Sequence, residues 1–271
     1  MMGTDAKLMK LKERVQAVVD STAGHVSFVL EDDYGQHLEM DGCTQKKAAS
    51  LIKIPILLAT FKQVEHGRLK LSDRFTINVE SRVGGAGVIA QLDSETDFTL
   101  WDLLTLMITV SDNTATNKVI DILGMDAVNE FCAKYGLSRT KLERKMMDFK
   151  AAAVGFENRT SARDMVACLK LLLNSRSDIF TEESRQQMLV ILQGQQLLDK
   201  LPFYMNLDSV KVANKTGELP GVEHDCGIVT LGEKKLMVAV LVDDLFTNSM
   251  GKRAIQEIGR LVEEYMRGSC S

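Results

Sequence analysis

The first feature of the chain that could do chemistry is the tetrad Ser50-Leu51-Ile52-Lys53, which opens an apolar run. A serine hydroxyl is a poor nucleophile at neutral pH unless a base accepts its proton. In a helix, residues three apart share a face, so Lys53 can lie beside the Ser50 hydroxyl. By itself the tetrad is a weak indication of catalysis, because serine and lysine recur at this spacing by chance in many helices.

Two further motifs follow the tetrad in order. Ser111-Asp112-Asn113 comes after the apolar segment 103–110, and Lys215-Thr216-Gly217 precedes the strand-like stretch 226–231. All three motifs in one chain and in this order are much less probable by accident than any one of them. Together they are the Ser-x-x-Lys, Ser-Asp-Asn and Lys-Thr-Gly set of penicillin-recognising serine enzymes.

On these motifs the chain resembles the class A β-lactamase-like family, from about residue 27 to about residue 264. More of the sequence agrees in register, namely Gly85–Ile89, Thr99–Leu104 and Asn113–Asn117. The resemblance implies an acyl-transfer reaction that needs no metal or cofactor. Ser50 would attack an amide or ester, Lys53 would act as base, and Ser111 would relay a proton to the leaving nitrogen.

The resemblance also assigns the substrate-binding residues. Asn113 would hold a substrate amide, while Lys215 and Thr216 would bind a substrate carboxylate. The backbone amide of Glu218 would be the second oxyanion donor beside that of Ser50. Asp112 would face inward and brace its loop.

The stretch 142–150 departs from the family pattern. Class A enzymes carry a glutamate here that activates the deacylating water, and in direct register Met146 takes its place. Methionine cannot accept a proton, so Asp148 is the candidate replacement, with Glu157 a more distant one. The family's usual arginine after Lys-Thr-Gly is also missing, since residues 218–229 contain none. These losses predict slow turnover of the acyl-enzyme.

Composition limits the other classes of function. The chain has 271 residues, of which 45% are hydrophobic and 26% charged, as in ordinary globular proteins. A net charge of -4 gives no basic field for nucleic acid. The five cysteines are widely spaced, and the four histidines show no metal-ligand spacing, which argues against a disulfide framework or a metal site. The resemblance implies a small-molecule substrate (a β-lactam, ester or peptide) as the partner, and the expected state is a monomer.

Neither a signal peptide nor an apolar stretch of eighteen residues is visible. The sequence as written therefore predicts a cytoplasmic protein without a membrane segment, or an extracytoplasmic one if the chain is a mature or trimmed form.

Hydrophobic periodicity predicts the elements that must position these motifs. At the ends of the chain it predicts helices over 5–22 and 251–266 and strands over 25–30 and 236–242. Between them it predicts helices over 48–66, 99–110, 114–123, 125–135, 161–174 and 181–193. The expected fold is α/β (α+β), with an antiparallel sheet flanked by terminal helices. One domain over 1–271 would combine a sheet lobe (about 1–47 and 201–271) with an all-helical lobe (about 48–200).

Three functions are compatible with these observations. The first is a serine β-lactam hydrolase that forms an acyl-enzyme on Ser50. The second is an esterase or peptidase of the same fold, which the missing glutamate favours. The third is a non-hydrolysing penicillin-binding or sensor domain, which needs Ser50 and Lys53 but no deacylation base.

Overall fold

The computed structural model describes residues 4–173 and 179–268. Within them the strands are β1 (His25–Asp32), β2 (His37–Met40), β3 (Lys46–Lys47), β4 (Arg74–Ile77), β5 (Thr96–Thr99), β6 (Arg159–Thr160), β7 (Val210–Leu219), β8 (Val222–Leu231) and β9 (Lys234–Asp243). Five of these strands form the central antiparallel sheet, in the order β2-β1-β9-β8-β7.

The helices of the described residues are α1 (Thr4–Ser21), α2 (Lys53–Glu65), α3 (Leu100–Thr109), α4 (Asn113–Leu123), α5 (Met125–Lys134), α6 (Phe149–Ala153), α7 (Ala162–Leu173), α8 (Glu182–Gln193) and α9 (Asn248–Arg267). In this part of the chain, none of the helices combines the length and apolar character that crossing a bilayer requires. The last residue of the helix predicted over 161–174 lies outside the described residues.

The sheet buries both of its faces. Along β1, Phe28 packs in the core beneath the terminal helices, whereas its neighbour Val29 packs in the core shared with the central helices. This alternation follows from the two-residue period of a strand. Helices α1 and α9 cover the first face together, and Arg14 pairs with Glu264 between them at 2.7 Å. The predicted α/β fold, with an antiparallel sheet flanked by terminal helices, is confirmed.

Helix α2 lies at the centre of the other core. Its residues from Lys53 to Phe61 are all buried, as expected for a helix that is apolar around its whole circumference. The predicted helix over 48–66 differs at its start, because residues 49–52 form a 3-10 turn before α2 begins at Lys53. The buried helix therefore holds Lys53 rigidly, and the tighter turn presents Ser50.

The prediction that 48–200 is all-helical is wrong in detail. Strands β4 and β5 form a two-stranded ribbon in which Phe75 lies opposite Phe98, and β6 pairs with β3. These strands have two to four residues, too few for a two-residue period to stand out from the sequence. The short helix α6 was not predicted either. The division into two lobes and the single domain stay predictions.

Candidate active site

Ser50 lies in the 3-10 turn that leads into α2. The residue before it, Ala49, has a φ of +47°, a left-handed conformation that a non-glycine residue adopts at a cost of about 1–3 kcal/mol. Such strain is typical of residues held in place for function. The first amides of a helix have no partners within it and favour negative charge nearby, so the Ser50 amide is suited to an oxyanion.

The Lys53 ammonium is buried and makes three hydrogen bonds. Its Nζ donates to the Ser111 carbonyl at 2.7 Å, to Ser111 Oγ at 3.0 Å and to Asn113 Oδ1 at 3.0 Å. Burial, reinforced by the nearby positive charge of Lys215, holds the pKa of Lys53 well below its usual value. Lowering the pKa of a lysine raises the fraction of its neutral amine, which is the form that can serve as a base.

Ser111 Oγ lies between two lysines. It accepts from Lys53 Nζ at 3.0 Å and from Lys215 Nζ at 3.1 Å. Burial lowers the pKa of Lys215 to about 7, although the charge of Asp225 acts in the opposite direction. Ser111 itself has a φ of +56°, a second strained backbone in the site. Its hydroxyl is placed to pass a proton between a lysine and a reacting atom.

Asp112 faces inward and braces two segments, as predicted. Its carboxylate accepts from the amides of Val88 and Ile89 at 2.7 and 2.9 Å, and it caps α4 through the amide of Ala115 at 2.8 Å. The loop approaches so closely that a Cβ on Gly87 would lie 2.3 Å from Asp112 Oδ2. This close contact therefore requires a residue without a side chain at position 87 of the Gly-Ala-Gly-Val-Ile segment.

Strand β7 carries Lys215, Thr216 and Gly217 along the open edge of the sheet, and it passes directly beside the nucleophile turn. A Cβ on Gly217 would lie 3.3 Å from the Ala49 Cβ, so the absent side chain permits this approach. The next residue, Glu218, has an exposed side chain, and its carboxylate lies 3.8 Å from Lys200 Nζ.

Two adjoining cavities meet at Ser50. One of about 190 Å³ is lined by residues that include Ser50, Asn113, Met146, Glu157 and Glu218. The other, of about 340 Å³, is lined by residues that include Ser50, Ser111, Thr216, Glu218 and Lys200. A larger cavity of about 410 Å³ lies beside Tyr34 and Tyr265, and its lining includes none of the motif residues. Five predicted site residues thus line these cavities, namely Ser50, Ser111, Asn113, Thr216 and Glu218. Lys53 and Lys215 reach the cleft through their hydrogen bonds to Ser111.

The segment carrying Met146 is held firmly at the cleft. Asn117 of α4 accepts from the Met146 amide at 2.7 Å and donates to its carbonyl at 3.1 Å. The side chain of Met146 is 8% exposed and lines the smaller cavity. Arg144 forms an ion pair with Glu157 at 2.7 Å, and this pair joins the two ends of the loop between them. Glu157 therefore lines the cavity as the partner of an arginine.

Asp148 has a capping role in the structure. Its Oδ1 accepts from the Ala151 amide at 2.9 Å at the start of α6. It is not among the described residues that line the two cavities at Ser50. Its predicted part in activating water stays a prediction, and a single substitution can separate the two roles.

We expect Asp148→Asn to leave the deacylation rate within about twofold of wild type, because asparagine caps a helix about as well as aspartate. Asp148→Ala should lower the free energy of unfolding by about 1 kcal/mol through loss of the cap. Mass spectrometry over time measures the deacylation rate, and unfolding in urea measures the free energy of unfolding. A hundredfold slower deacylation in the stable Asp148→Asn variant would instead make Asp148 the base.

The motif-like cluster His224-Asp225-Cys226 is structural. All three residues are buried in β8, and His224 Nε2 lies 2.9 Å from the Lys47 carbonyl. Burial lowers the pKa of His224 to about 4, so its ring is neutral at physiological pH. Asp225 accepts from Asn214 Nδ2 at 3.0 Å and from the Leu201 amide at 2.9 Å, and burial raises its pKa to about 7.

A family model described as the β-lactamase enzyme family matches residues 10–266, which is nearly the whole chain. The chain belongs to the β-lactamase enzyme family. Together with the solved structures of class A β-lactamases that share its fold, this membership makes the protein a serine hydrolase that acts on small molecules. No curated relative matches the sequence.

Several solved structures share this fold. A β-lactamase from Sphaerobacter thermophilus is 32% identical, with a TM-score of 0.87 over 94% of this chain and 97% of that one. PBP-A is 28% identical, with a TM-score of 0.86 over 96% and 97% of the two chains. A mutant of PBP-A has been solved as an acyl-enzyme complex with penicillin G. An ancestral class A β-lactamase is 25% identical, with a TM-score of 0.85 over 94% and 99%.

Sequence reasoning missed two residues that shape this β-lactamase-type site. Asn117 holds the backbone of Met146, and the matching segment Asn113–Asn117 was the available signal for it. Lys200 is buried beside the cleft, where it donates to the Gly217 carbonyl at 2.9 Å. No motif includes it, and only the fold brings it to β7.

Proposed function

We propose that β-lactams acylate this protein at Ser50 and that water releases the acyl group slowly. The observation that carries the proposal is the position of Ser111 Oγ, 3.0 Å from Lys53 Nζ and 3.1 Å from Lys215 Nζ, beside the cleft that Ser50 lines. A nucleophile, a base with a lowered pKa and a proton relay are the parts that acyl transfer requires.

The proposed acylation conserves protons. Neutral Lys53 accepts the proton of Ser50 as Oγ bonds to the substrate carbonyl carbon. The resulting oxyanion is stabilised by the amides of Ser50 and Glu218, and such donors are worth about 3 kcal/mol each. When the carbon–nitrogen bond breaks, Ser111 donates its proton to the nitrogen and takes one from the Lys53 ammonium. Lys53 is then neutral again, and the acyl group is an ester on Ser50.

Binding and deacylation follow from the other residues. Lys215, in its cationic form, and Thr216 would bind the substrate carboxylate, while Asn113 would hold its amide. Met146 lines the cavity where the family's glutamate would act, and its thioether cannot accept a proton from water. Without that base, hydrolysis of the ester should be the slow step, and the acyl-enzyme should accumulate.

We expect two lysines to set the dependence of the acylation rate on pH. The acid limb should follow loss of the proton from Lys53, at a pH well below the usual lysine value, because burial and the charge of Lys215 lower its pKa. The alkaline limb should follow Lys215, which has a pKa of about 7 and loses the charge that binds the carboxylate. At saturating substrate this alkaline limb should move to higher pH, because a bound carboxylate favours the charged form of Lys215. Stopped-flow acylation at several pH values measures both limbs.

A second function, hydrolysis of a peptide or ester by the same residues, is favoured by Met146. A protein whose natural acyl group is not a β-lactam has no need of a fast route for clearing a β-lactam adduct. In that case small esters and peptides should turn over steadily while penicillin remains on Ser50. A non-hydrolysing binding or sensor role would leave both kinds of adduct in place. The monomeric state stays a prediction.

Intact-protein mass spectrometry over time with benzylpenicillin tests the proposal. We expect an adduct that forms quickly, maps to Ser50 and decays slowly. A chromogenic cephalosporin should show a burst followed by a low steady rate. Turnover on the order of hundreds per second would contradict slow deacylation, since it lies in the range of efficient enzymes. The lack of both adduct and turnover would contradict β-lactam recognition itself.

A further inference from the structure

Lys200 is a buried cation beside the cleft that none of the three motifs contains. The residue is 2% exposed, and its Nζ donates to the Gly217 carbonyl at 2.9 Å. The same ammonium forms an ion pair with the buried carboxylate of Glu223 on β8. The side chain thus ends in a fixed position against the backbone of β7.

The carbonyl that Lys200 contacts belongs to the peptide unit that joins Gly217 to Glu218. A peptide is planar and trans, so its C=O and N–H point in opposite directions. A cation at the Gly217 oxygen draws electron density through this unit and makes the Glu218 N–H a stronger donor. Glu218 lines both cavities at Ser50, so this N–H belongs to the backbone beside the nucleophile.

The Glu223 carboxylate is itself held by α9. Asn248 Nδ2 donates to Glu223 Oε1 at 3.1 Å and to the Leu219 carbonyl at 2.9 Å, and Asn248 Oδ1 accepts from the Gly221 amide at 2.9 Å. One asparagine therefore ties the carboxylate to the turn that ends β7. The ion pair has little freedom to move away from the peptide that it supports.

We propose that Lys200 is a positioning residue for acylation, which holds and polarises the Gly217–Glu218 peptide so that the Glu218 amide can receive the oxyanion. The inference rests on the proposed function, because it needs an oxyanion to form beside Ser50. The contacts of Lys200 speak against direct binding of a substrate anion. Its charge is already neutralised by Glu223, and its Nζ lies within 3.5 Å of two carbonyl oxygens, of Gly217 and His224.

The kinetic test compares two pairs of substitutions. Lys200→Met/Glu223→Gln removes the cation without leaving an unpaired buried carboxylate, which would be destabilising. The matched control is Lys46→Met/Asp243→Asn, which removes another ion pair of a buried lysine, located at β3 and the end of β9. Lys200→Arg is the conservative variant, and it keeps a cationic donor.

We expect Lys200→Met/Glu223→Gln to lower the acylation rate constant about tenfold, less than the 10²–10³-fold loss that follows removal of an entire oxyanion donor. The dissociation constant for benzylpenicillin should stay unchanged, the control pair should acylate at the wild-type rate, and Lys200→Arg should recover part of the loss. Rapid-quench mass spectrometry separates the two constants. If this pair does not fold, Lys200→Gln/Glu223→Gln, which keeps a hydrogen bond between the side chains, takes its place.

Two spectroscopic readouts report on the peptide itself. In the acyl-enzyme, the infrared frequency of the ester carbonyl should rise when Lys200 is replaced, because a weaker oxyanion donor polarises the carbonyl less. In the ligand-free protein, the Glu218 amide proton resonance should move upfield in the Lys200 variant and stay in place in the control. A purely structural ion pair would move neither signal.

The outcomes separate the two proposals. If wild type forms no Ser50 adduct, the proposed function fails, and the Glu218 resonance alone decides whether Lys200 polarises the peptide. If wild type acylates and the Lys200 variant acylates equally fast with an unchanged carbonyl frequency, the inference is overturned while the function stands. A weaker dissociation constant with an unchanged rate constant would also overturn it, in favour of direct anion binding.

Discussion

Replacing Ser50 with alanine is expected to abolish the benzylpenicillin adduct and all β-lactam turnover. Loss of the nucleophile of a serine hydrolase costs roughly 10⁶-fold in turnover. Ser50 is half-buried in the turn before α2 and is not part of the hydrophobic core, so Ser50→Ala should fold normally. Mass spectrometry of the intact variant, with thermal unfolding as a check on its fold, measures the result.

Ser111→Ala is the matched control for this prediction. It removes a hydroxyl from the same cleft but keeps the nucleophile, so an adduct should still form on Ser50 at a much lower rate. General acid–base contributions of this kind are typically worth 10²–10⁴-fold. An adduct of undiminished yield on the Ser50→Ala protein would show that acylation takes place elsewhere, and the assignment of the nucleophile would be lost.

Met146→Glu is expected to convert a slowly released acyl-enzyme into one that turns over. Asn117 holds the backbone at this position through two hydrogen bonds, so the new carboxylate should project into the cavity that Ser50 lines. Burial should raise the pKa of the carboxyl, which suits a general base. We expect deacylation to be about 10²–10⁴-fold faster, the usual contribution of a positioned base.

Met146→Gln is the control that distinguishes the effect of a proton-accepting group from the effect of a polar side chain. Glutamine has nearly the shape of glutamate and can hydrogen-bond water, but it cannot accept a proton at neutral pH. Its deacylation rate should stay close to that of wild type. Equal acceleration by both variants would mean that admitting water to the cavity, rather than proton transfer, limits release. No acceleration in a folded Met146→Glu protein would mean that the missing glutamate does not explain slow turnover.

The sequence predicted the reacting residues better than it predicted the residues that position them. Ser50, Lys53, Ser111 and Lys215 occur in short motifs because the chemistry fixes their types and local spacing. The helices of ten or more residues were also predictable, since each of them presents apolar residues to the core. The inward role of Asp112 was implied by the resemblance to the β-lactamase family.

The residues that position the reacting groups make contacts between segments that are distant in sequence. Lys200 donates to a carbonyl 17 residues further along the chain, and Glu223 lies beside it because β7 and β8 pair. Nothing in the local pattern around Lys200 distinguishes it from a surface lysine. Likewise Asp148 looked like a possible base from its position near Met146, and only the fold shows that its carboxylate caps α6.

The lysine–serine–lysine contact at the site joins segments that are far apart in sequence. Lys53 and Ser111 are separated by 58 residues, and Ser111 and Lys215 by a further 104. Contacts of such long range form late in folding, after most of the chain has collapsed. Reaction with a fluorescent penicillin should therefore mark fully folded molecules, so that the same adduct can be used to follow refolding or to count native chains during synthesis.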